Sequence, residues 1–399
     1  MKKLIDGINK GRAPRDFTVD DWNAAVRVFF GPYFRRKSLL KSKRELLRTE
    51  LLNLAKILPF PEYTDLLLRL LKTYRSVLRN HTNDSYNFLS LIFQDTIIAD
   101  EKWMSLVIMH EPLSKEAPLT DRVYQKFDLL DAILEGSYKL HLRLLYGFAL
   151  KYTGNQFPSN VRTLDFGAMV STFPSTLASS CKLLLEDPEH LIKVNQWRNI
   201  AAHKNFIMKT SRTFEIEYGN QPRRIKRLTN ASLERTLRWT ILTLNTVRLC
   251  NLIIYVEHMH ELKAAGLQVV PVRLESRLTG LCHNLGIVGF RCVSYYDRQS
   301  QFTLVLQNEL DRPLKDAIIH ASQVLAQLST ALNSALSHRV RINRAAVQLV
   351  DKNGNELATA SVNIDDALAF TNKKIRMKKY ISQIDFSFAS SREELRTRG

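Results

Sequence analysis

Cysteine is scarce in this sequence. The four present (Cys181, Cys250, Cys282, Cys292) show no CxxC spacing, which excludes a disulfide framework and a zinc-ribbon pattern and points to a reducing compartment. Glycine and proline, at 14 and 12 residues, leave little room for long flexible linkers. No glycine-rich phosphate loop occurs: "GINKGR" lacks the lysine–hydroxyl ending that grips nucleotide phosphates, so NTP hydrolysis is not expected. The opening "MKKLIDGINKGRAPRD" carries lysines without an apolar run, so a signal peptide is not expected. The most apolar stretch, "TILTLNTVRLCNLIIYV" at 240–256, is interrupted by Asn245, Arg248 and Asn251 and is short for a bilayer crossing. These absences together predict a soluble cytoplasmic protein with no membrane partner.

Metal chemistry is equally thin. Glu257, His258 and His260 stand at i, i+1 and i+3 without a cysteine pair to complete a set. His110–Glu111 lacks the second histidine of a zinc-protease helix, and Cys282–His283 with Cys292 reads as core rather than as a nucleophile pair. "DKNGNE" has its glycine too early for a calcium loop. No metal and no cofactor are expected.

What the sequence has in excess is positive charge. Lys and Arg number 58 against 39 acidic residues, a net charge of +19 with 45% hydrophobic residues. The surplus is spread over the whole chain rather than held in a tail, so it belongs to folded surfaces and predicts a polyanionic partner. Three clusters are dense enough to contact phosphates: Arg35 to Arg48, "RRIKR" at Arg223 to Arg227, and Lys373 to Lys379. Tyr295 and Tyr296, on an expected strand, add a candidate surface for stacking bases.

The chain reads as three regions. Residues 1–119 are expected to be a helical N-terminal domain, with leucines at helical spacing in "KSLLKSKRELLRTELLNLAKIL" and again after a Pro59–Pro61 break. The stretch "HEPLSKEAPLTD" (110–121) is the expected linker. In 120–262 a long helix is marked by Val123, Phe127, Leu130, Leu134 and Ser137 and stops at Gly154. A second helix is expected from an Asp187 cap through Arg198 toward His203, then a hairpin turning at "GNQP", then a long helix capped by Ser232. Residues 263–399 predict a small α+β domain: two strands around "DRQS", one helix from Leu314 to Ala335, and a hairpin turning at Asn353–Gly354.

Within the second helix, "WRNIAAHKNF" sets Arg198 five positions before His203, with Ala201 and Ala202 between them. An imidazole exchanges protons near neutral pH. A guanidinium fork holds a phosphate and stabilises charge building on its oxygens. The ribose 2′-OH is an internal nucleophile already beside the phosphorus, so RNA cleavage needs no metal-activated water. Asn199 adds a polar group able to orient phosphate or ribose. Spacing alone favours a solvated helix face, because residues five apart sit about 140° apart around an α-helix and do not share a face unless its last turn frays.

"RNIAAHKNF" resembles the R-(polar)-x-x-x-H motif of the HEPN family, with Arg198, Asn199 and His203 at its informative positions. The surrounding order of long helix, motif helix, hairpin and closing helix is similar too, over about 120–262. The resemblance implies a mainly α, HEPN-like helical bundle with a short β-hairpin. It implies a metal-independent endoribonuclease built as a homodimer through that domain, with two motif helices forming one cleft and a toxin or abortive-infection role against bacteriophage. A possible antitoxin or phage-derived trigger follows from the same resemblance. On this reading Arg223, Arg224, Lys226, Arg227 and Lys204 are candidate RNA contacts. Some members of the family only bind nucleic acid or partners, so a non-catalytic dimerisation subunit is the alternative.

Overall fold

The computed structural model describes residues 18–109, 113–114, 116–219, 222–268, 274–310, 312–335 and 342–389. The opening sixteen residues and much of the expected 110–121 linker lie outside them, as do Asn220 and Gln221 of the expected hairpin turn. The protein is mainly helical, with two small sheets. It divides into two compact units, one of residues 27–270 and one of residues 1–26 with 271–399. Helix α1 (Val19–Phe30) opens the described chain.

The larger unit is a helical bundle. Its elements are α2 (Leu39–Ser42), α3 (Arg44–Ile57), α4 (Pro61–Asn80), α5 (Thr82–Met109), α6 (Leu119–Ile133), a π-helical turn (Leu134–Tyr138), and α7 (Lys139–Tyr152). Short helices α8 (Phe166–Ser171), α9 (Ser175–Ala178) and α10 (Lys182–Leu185) lead to α11 (Val194–His203). Strands β1 (Phe206–Met208), β2 (Thr213–Tyr218) and β3 (Arg224–Thr229) form an antiparallel sheet in the order β1-β2-β3, and α12 (Asn230–Ala264) closes the unit.

Val123, Phe127, Leu130, Leu134 and Ser137 are all fully buried, as their spacing predicts, and the helix ends before Gly154 at φ +88°. The π turn inserts one residue's worth of phase in that helix, a distortion that re-aims side chains on either side of it. Helix α12 packs against α3 and α4 as well as α6 and α7, so helices on both sides of the expected 119/120 boundary share one core. Its 35 residues are long and apolar enough to cross a membrane, but the apolar window is 89% buried inside the protein.

A polar seam runs through this core. Buried Arg248 on α12 donates through Nη2 to Glu50 of α3 (2.6 Å) and through Nε to Asp100 of α5 (2.5 Å). His141 Nε2 of α7 lies 3.3 Å from the same Asp100. Asn251 donates to the His141 carbonyl (3.1 Å) and accepts from the Tyr74 hydroxyl (2.7 Å). A charge in this position costs several kcal/mol unless paired, and here every charge has its partner.

Two local expectations change. The helix expected from Asp187 does not run to His203. Asp187 Oδ1 does accept from the backbone N–H of Glu189 and His190, but Leu191 sits at φ +56° and breaks the path, so α11 begins at Val194. The cap of α12 is Thr229 rather than Ser232: Ser232 N–H donates to Thr229 Oγ1 and Thr229 N–H to Ser232 Oγ, a reciprocal capping box.

In the smaller unit, α13 (Leu274–Ile287), β4 (Phe290–Arg298), β5 (Gln301–Asn308), α14 (Leu314–Ser322), α15 (Leu325–Ala335), β6 (Arg344–Val350), β7 (Glu356–Asn363), α16 (Ile364–Thr371), α17 (Met377–Ile381) and β8 (Asp385–Phe388) follow in order. The sheet is β4-β5-β6-β7-β8, antiparallel except for the parallel β5/β6 pair that the helical crossover requires. Phe302, Leu304, Leu306, Val347 and Leu349 meet Ile318, Leu325, Leu328 and Leu332 in one core. The helix expected over 314–335 is broken at Gln323–Val324 into α14 and α15. The turn at Gly354 is as expected, with φ +83° and Asp351 Oδ1 accepting from the N–H of Asn353 and Asn355. Cys282 and Cys292 hydrogen-bond through their thiols, a contact that holds the first thiol down and pushes the second up.

Candidate active site

Helix α11 carries the arginine–histidine pair. Val194, Trp197, Ile200 and Ala201 form its buried face, and it packs on α6, the π turn and β2. Ala201 is buried in that core while Ala202 is exposed, so of the two small residues beside Arg198 only Ala202 opens space toward solvent. The helix stays regular through His203 and stops at Lys204, which takes the left-handed conformation (φ 52°, ψ 40°).

Arg198 lies on one flank, about one third exposed. Its Nε donates to Glu135 Oε2 at 3.0 Å and its Nη1 to Asn199 Oδ1 at 3.2 Å. The Nη2 group has no protein partner among the described residues, so one edge of the fork remains open to a ligand. Glu135 sits in the π turn, and its other carboxylate oxygen takes a 2.5 Å hydrogen bond from Lys139. Partial burial pushes the Glu135 carboxyl up, but Lys139 and Arg198 outweigh it and hold the group below the usual carboxylate range. The result is a clamp: a fixed anion orients the guanidinium, and a lysine keeps that anion charged.

His203 is exposed at the last residue of α11, and its imidazole makes no hydrogen bond among the described residues. No hydrogen bond joins it to Arg198. Within one chain, then, the structure presents an anchored guanidinium and an uncommitted imidazole on one short helix, both reachable from solvent.

The other expected RNA contacts are placed as follows. Lys204 closes α11: its Nζ donates to the Ala201 carbonyl (2.8 Å) and pairs with Asp128 (2.7 Å). Arg223 pairs with Glu217 (3.2 Å) and Arg227 with Glu215 (3.1 Å), the latter also holding Lys209. Lys226 donates to the His190 carbonyl (2.9 Å). Arg224 is exposed and has no partner among the described residues. In the other unit, Tyr295 stacks on Phe302 and Tyr296 donates to Gln348 beneath Arg298, each still partly exposed. Glu257, weighed above as a metal ligand, instead accepts from Arg75 (2.9 Å) and from the Arg35 backbone (2.6 Å).

No family model matches this sequence, no curated protein does, and no solved structure does. The site therefore stands on its own geometry.

Sequence reading missed Glu135 and Lys139. Their i, i+4 spacing on an expected helix was visible, with the acid N-terminal to the base as such pairs prefer. Nothing in the sequence announces the π turn or the 63-residue reach from Glu135 to Arg198.

Proposed function

We propose that the protein is a metal-independent RNA endonuclease of the HEPN type. It would cleave through the ribose 2′-OH and act as a toxin or abortive-infection effector. The observation that carries this reading is the Glu135–Arg198 clamp, its guanidinium on the same short helix as the exposed, unpartnered His203. The two residues lie about 140° apart round the helix axis, so a second copy is needed to bring an imidazole to each guanidinium. In the proposed reaction a histidine takes the proton of the 2′-OH, the 2′-oxygen bonds to phosphorus, and the bond to the 5′-oxygen breaks as that oxygen receives a proton. The products are a 2′,3′-cyclic phosphate and a 5′-hydroxyl. Arg198 binds the phosphate and steadies the charge that builds on its non-bridging oxygens. His203 is the proton-transfer group, Asn199 positions the strand, and a second copy supplies the mates of all three.

Incubating mixed RNA with the purified protein in excess EDTA tests this. Cleavage leaving cyclic-phosphate ends, reduced about a hundredfold or more in Arg198→Ala and in His203→Ala, is the expected outcome. RNA binding without cleavage by any form would instead favour a non-catalytic RNA-binding subunit, a reading that draws on Arg198 being already engaged by Glu135.

A further inference from the structure

The helical unit carries a basic elbow well apart in sequence from the arginine–histidine helix. Helix α2 lasts one turn, Lys43 breaks it (φ −114°, ψ 20°), and α3 restarts at Arg44. Leu40 and Leu47 bury themselves beneath the elbow. On its outer side Ser38, Lys41, Ser42, Lys43, Arg44 and Glu45 line an open cavity of about 600 Å3. Lys41, Lys43 and Arg44 are exposed, and none of their side chains has an ion pair or hydrogen-bond partner among the described residues. The Ser38 side chain makes no capping hydrogen bond.

Three other cations of the helical unit are already committed. Arg36 pairs with Glu261, Arg75 with Glu257, and Lys37 donates to the Gly31 carbonyl. On the hairpin, acids or a carbonyl hold Arg223, Arg227 and Lys226. Glu45 is the acid on the rim; burial pushes the Arg48 guanidinium down, and the Glu45 charge opposes that shift. Three uncommitted cations around a cavity with hydroxyl groups on its rim suit phosphate groups, which accept from ammonium, guanidinium and hydroxyl donors alike. A membrane surface would also call for apolar side chains beside the cations. Over residues 35–46 only Leu46 is a large apolar residue exposed to solvent.

We propose that the α2–α3 elbow binds the phosphate backbone of single-stranded RNA through Lys41, Lys43 and Arg44. The choice of RNA among polyanions rests on the nuclease reading above. The binding itself is independent of turnover and is tested without it.

The test uses full-length protein carrying His203→Ala, so that RNA stays intact, and a fluorescein-labelled single-stranded RNA whose anisotropy is followed across a salt series. Adding Lys41→Gln, Lys43→Gln and Arg44→Gln should weaken binding about tenfold or more at low salt. It should also flatten the plot of log Kd against log salt by about two units, on the order of 0.7 for each phosphate left without its cation. The same number of charges removed at Lys72, Lys315 and Lys352, exposed lysines outside the three basic clusters, controls for net charge and should leave the slope nearly unchanged. Equal binding by the elbow variant, or an equal weakening in the control, overturns the proposal. So does a variant that keeps RNA affinity but loses binding to phosphatidylserine vesicles. Wild-type cleavage with an unaffected elbow variant would sink the elbow alone, whereas elbow-dependent binding by a protein that never cuts would sink the nuclease and leave the elbow standing.

Discussion

At the scale of single residues, the clamp makes a sharper claim than the arginine–histidine spacing does. Glu135 does not touch the proposed substrate; it positions Arg198. Removing its charge while keeping an acceptor oxygen, as in Glu135→Gln, should weaken the clamp, and Glu135→Ala should abolish it. The expected result is a graded loss in kcat on the order of tenfold to a hundredfold, Gln milder than Ala, because a misplaced group loses alignment rather than chemistry. KM should change much less. Equal loss in both variants together with a lower melting temperature would mark Glu135 as structural only. Arg198, Asn199 and His203 were legible as types and spacing. The acid that orients Arg198 was not, because it comes from another helix through a distorted turn.

At the scale of elements, most boundaries followed from periodicity and punctuation. The stripe from Val123 to Ser137, the stop at Gly154 and the Asn353–Gly354 turn were written in local sequence. The misses share one cause, tertiary demand overriding a local signal. Asp187 has a good cap's chemistry, but its other carboxylate oxygen accepts from Thr236 Oγ1 of α12 (2.9 Å) and the chain turns away at Leu191. Leu191 is 63% exposed at φ +56°, so its side chain offers little packing to offset a backbone that glycine adopts freely. Leu191→Gly should therefore stabilise the protein by about 0.5–1 kcal/mol, read as a raised urea midpoint at unchanged m. The reverse holds at Gly147 on α7. A Cβ there would meet the Phe88 ring at 2.2 Å, and Phe88 is stacked against Phe157 at 4.4 Å. Gly147→Ala should cost about 1–3 kcal/mol from that collision. A midpoint equal to wild type would mean α5 and α7 can separate freely.

At the scale of the whole molecule, the sequence showed the size of the charge but not where the charges go. The buried seam joins Glu50, Asp100, His141 and Arg248 across four helices, and no periodicity pairs residues 198 positions apart. Its acid response can be derived with the sign worked out. Burial pushes the Asp100 carboxyl up, but Arg248 and His141 outweigh that and hold it below its ordinary value. The unfolded chain therefore takes up that proton first, and the stabilisation is lost only as pH falls below about 4. His258, half-buried against Tyr86 at 3.2 Å, is shifted the other way relative to its charge: burial lowers its pKa, with Arg36 and Arg75 acting in the same sense against the opposing Glu261 and Glu257. Here too the unfolded chain binds the proton first, but at a higher pH, so stability should begin to fall as pH drops through about 6.5. Two acid windows are expected, and one substitution separates them. In urea melts from about pH 8 to about pH 3.5, His258→Gln should reduce the upper slope, with His190, whose pKa burial also lowers, carrying the rest, and leave the lower one intact. Parallel curves for the two proteins through about pH 7 to 5 would show that His258 titrates alike in the folded and unfolded chain.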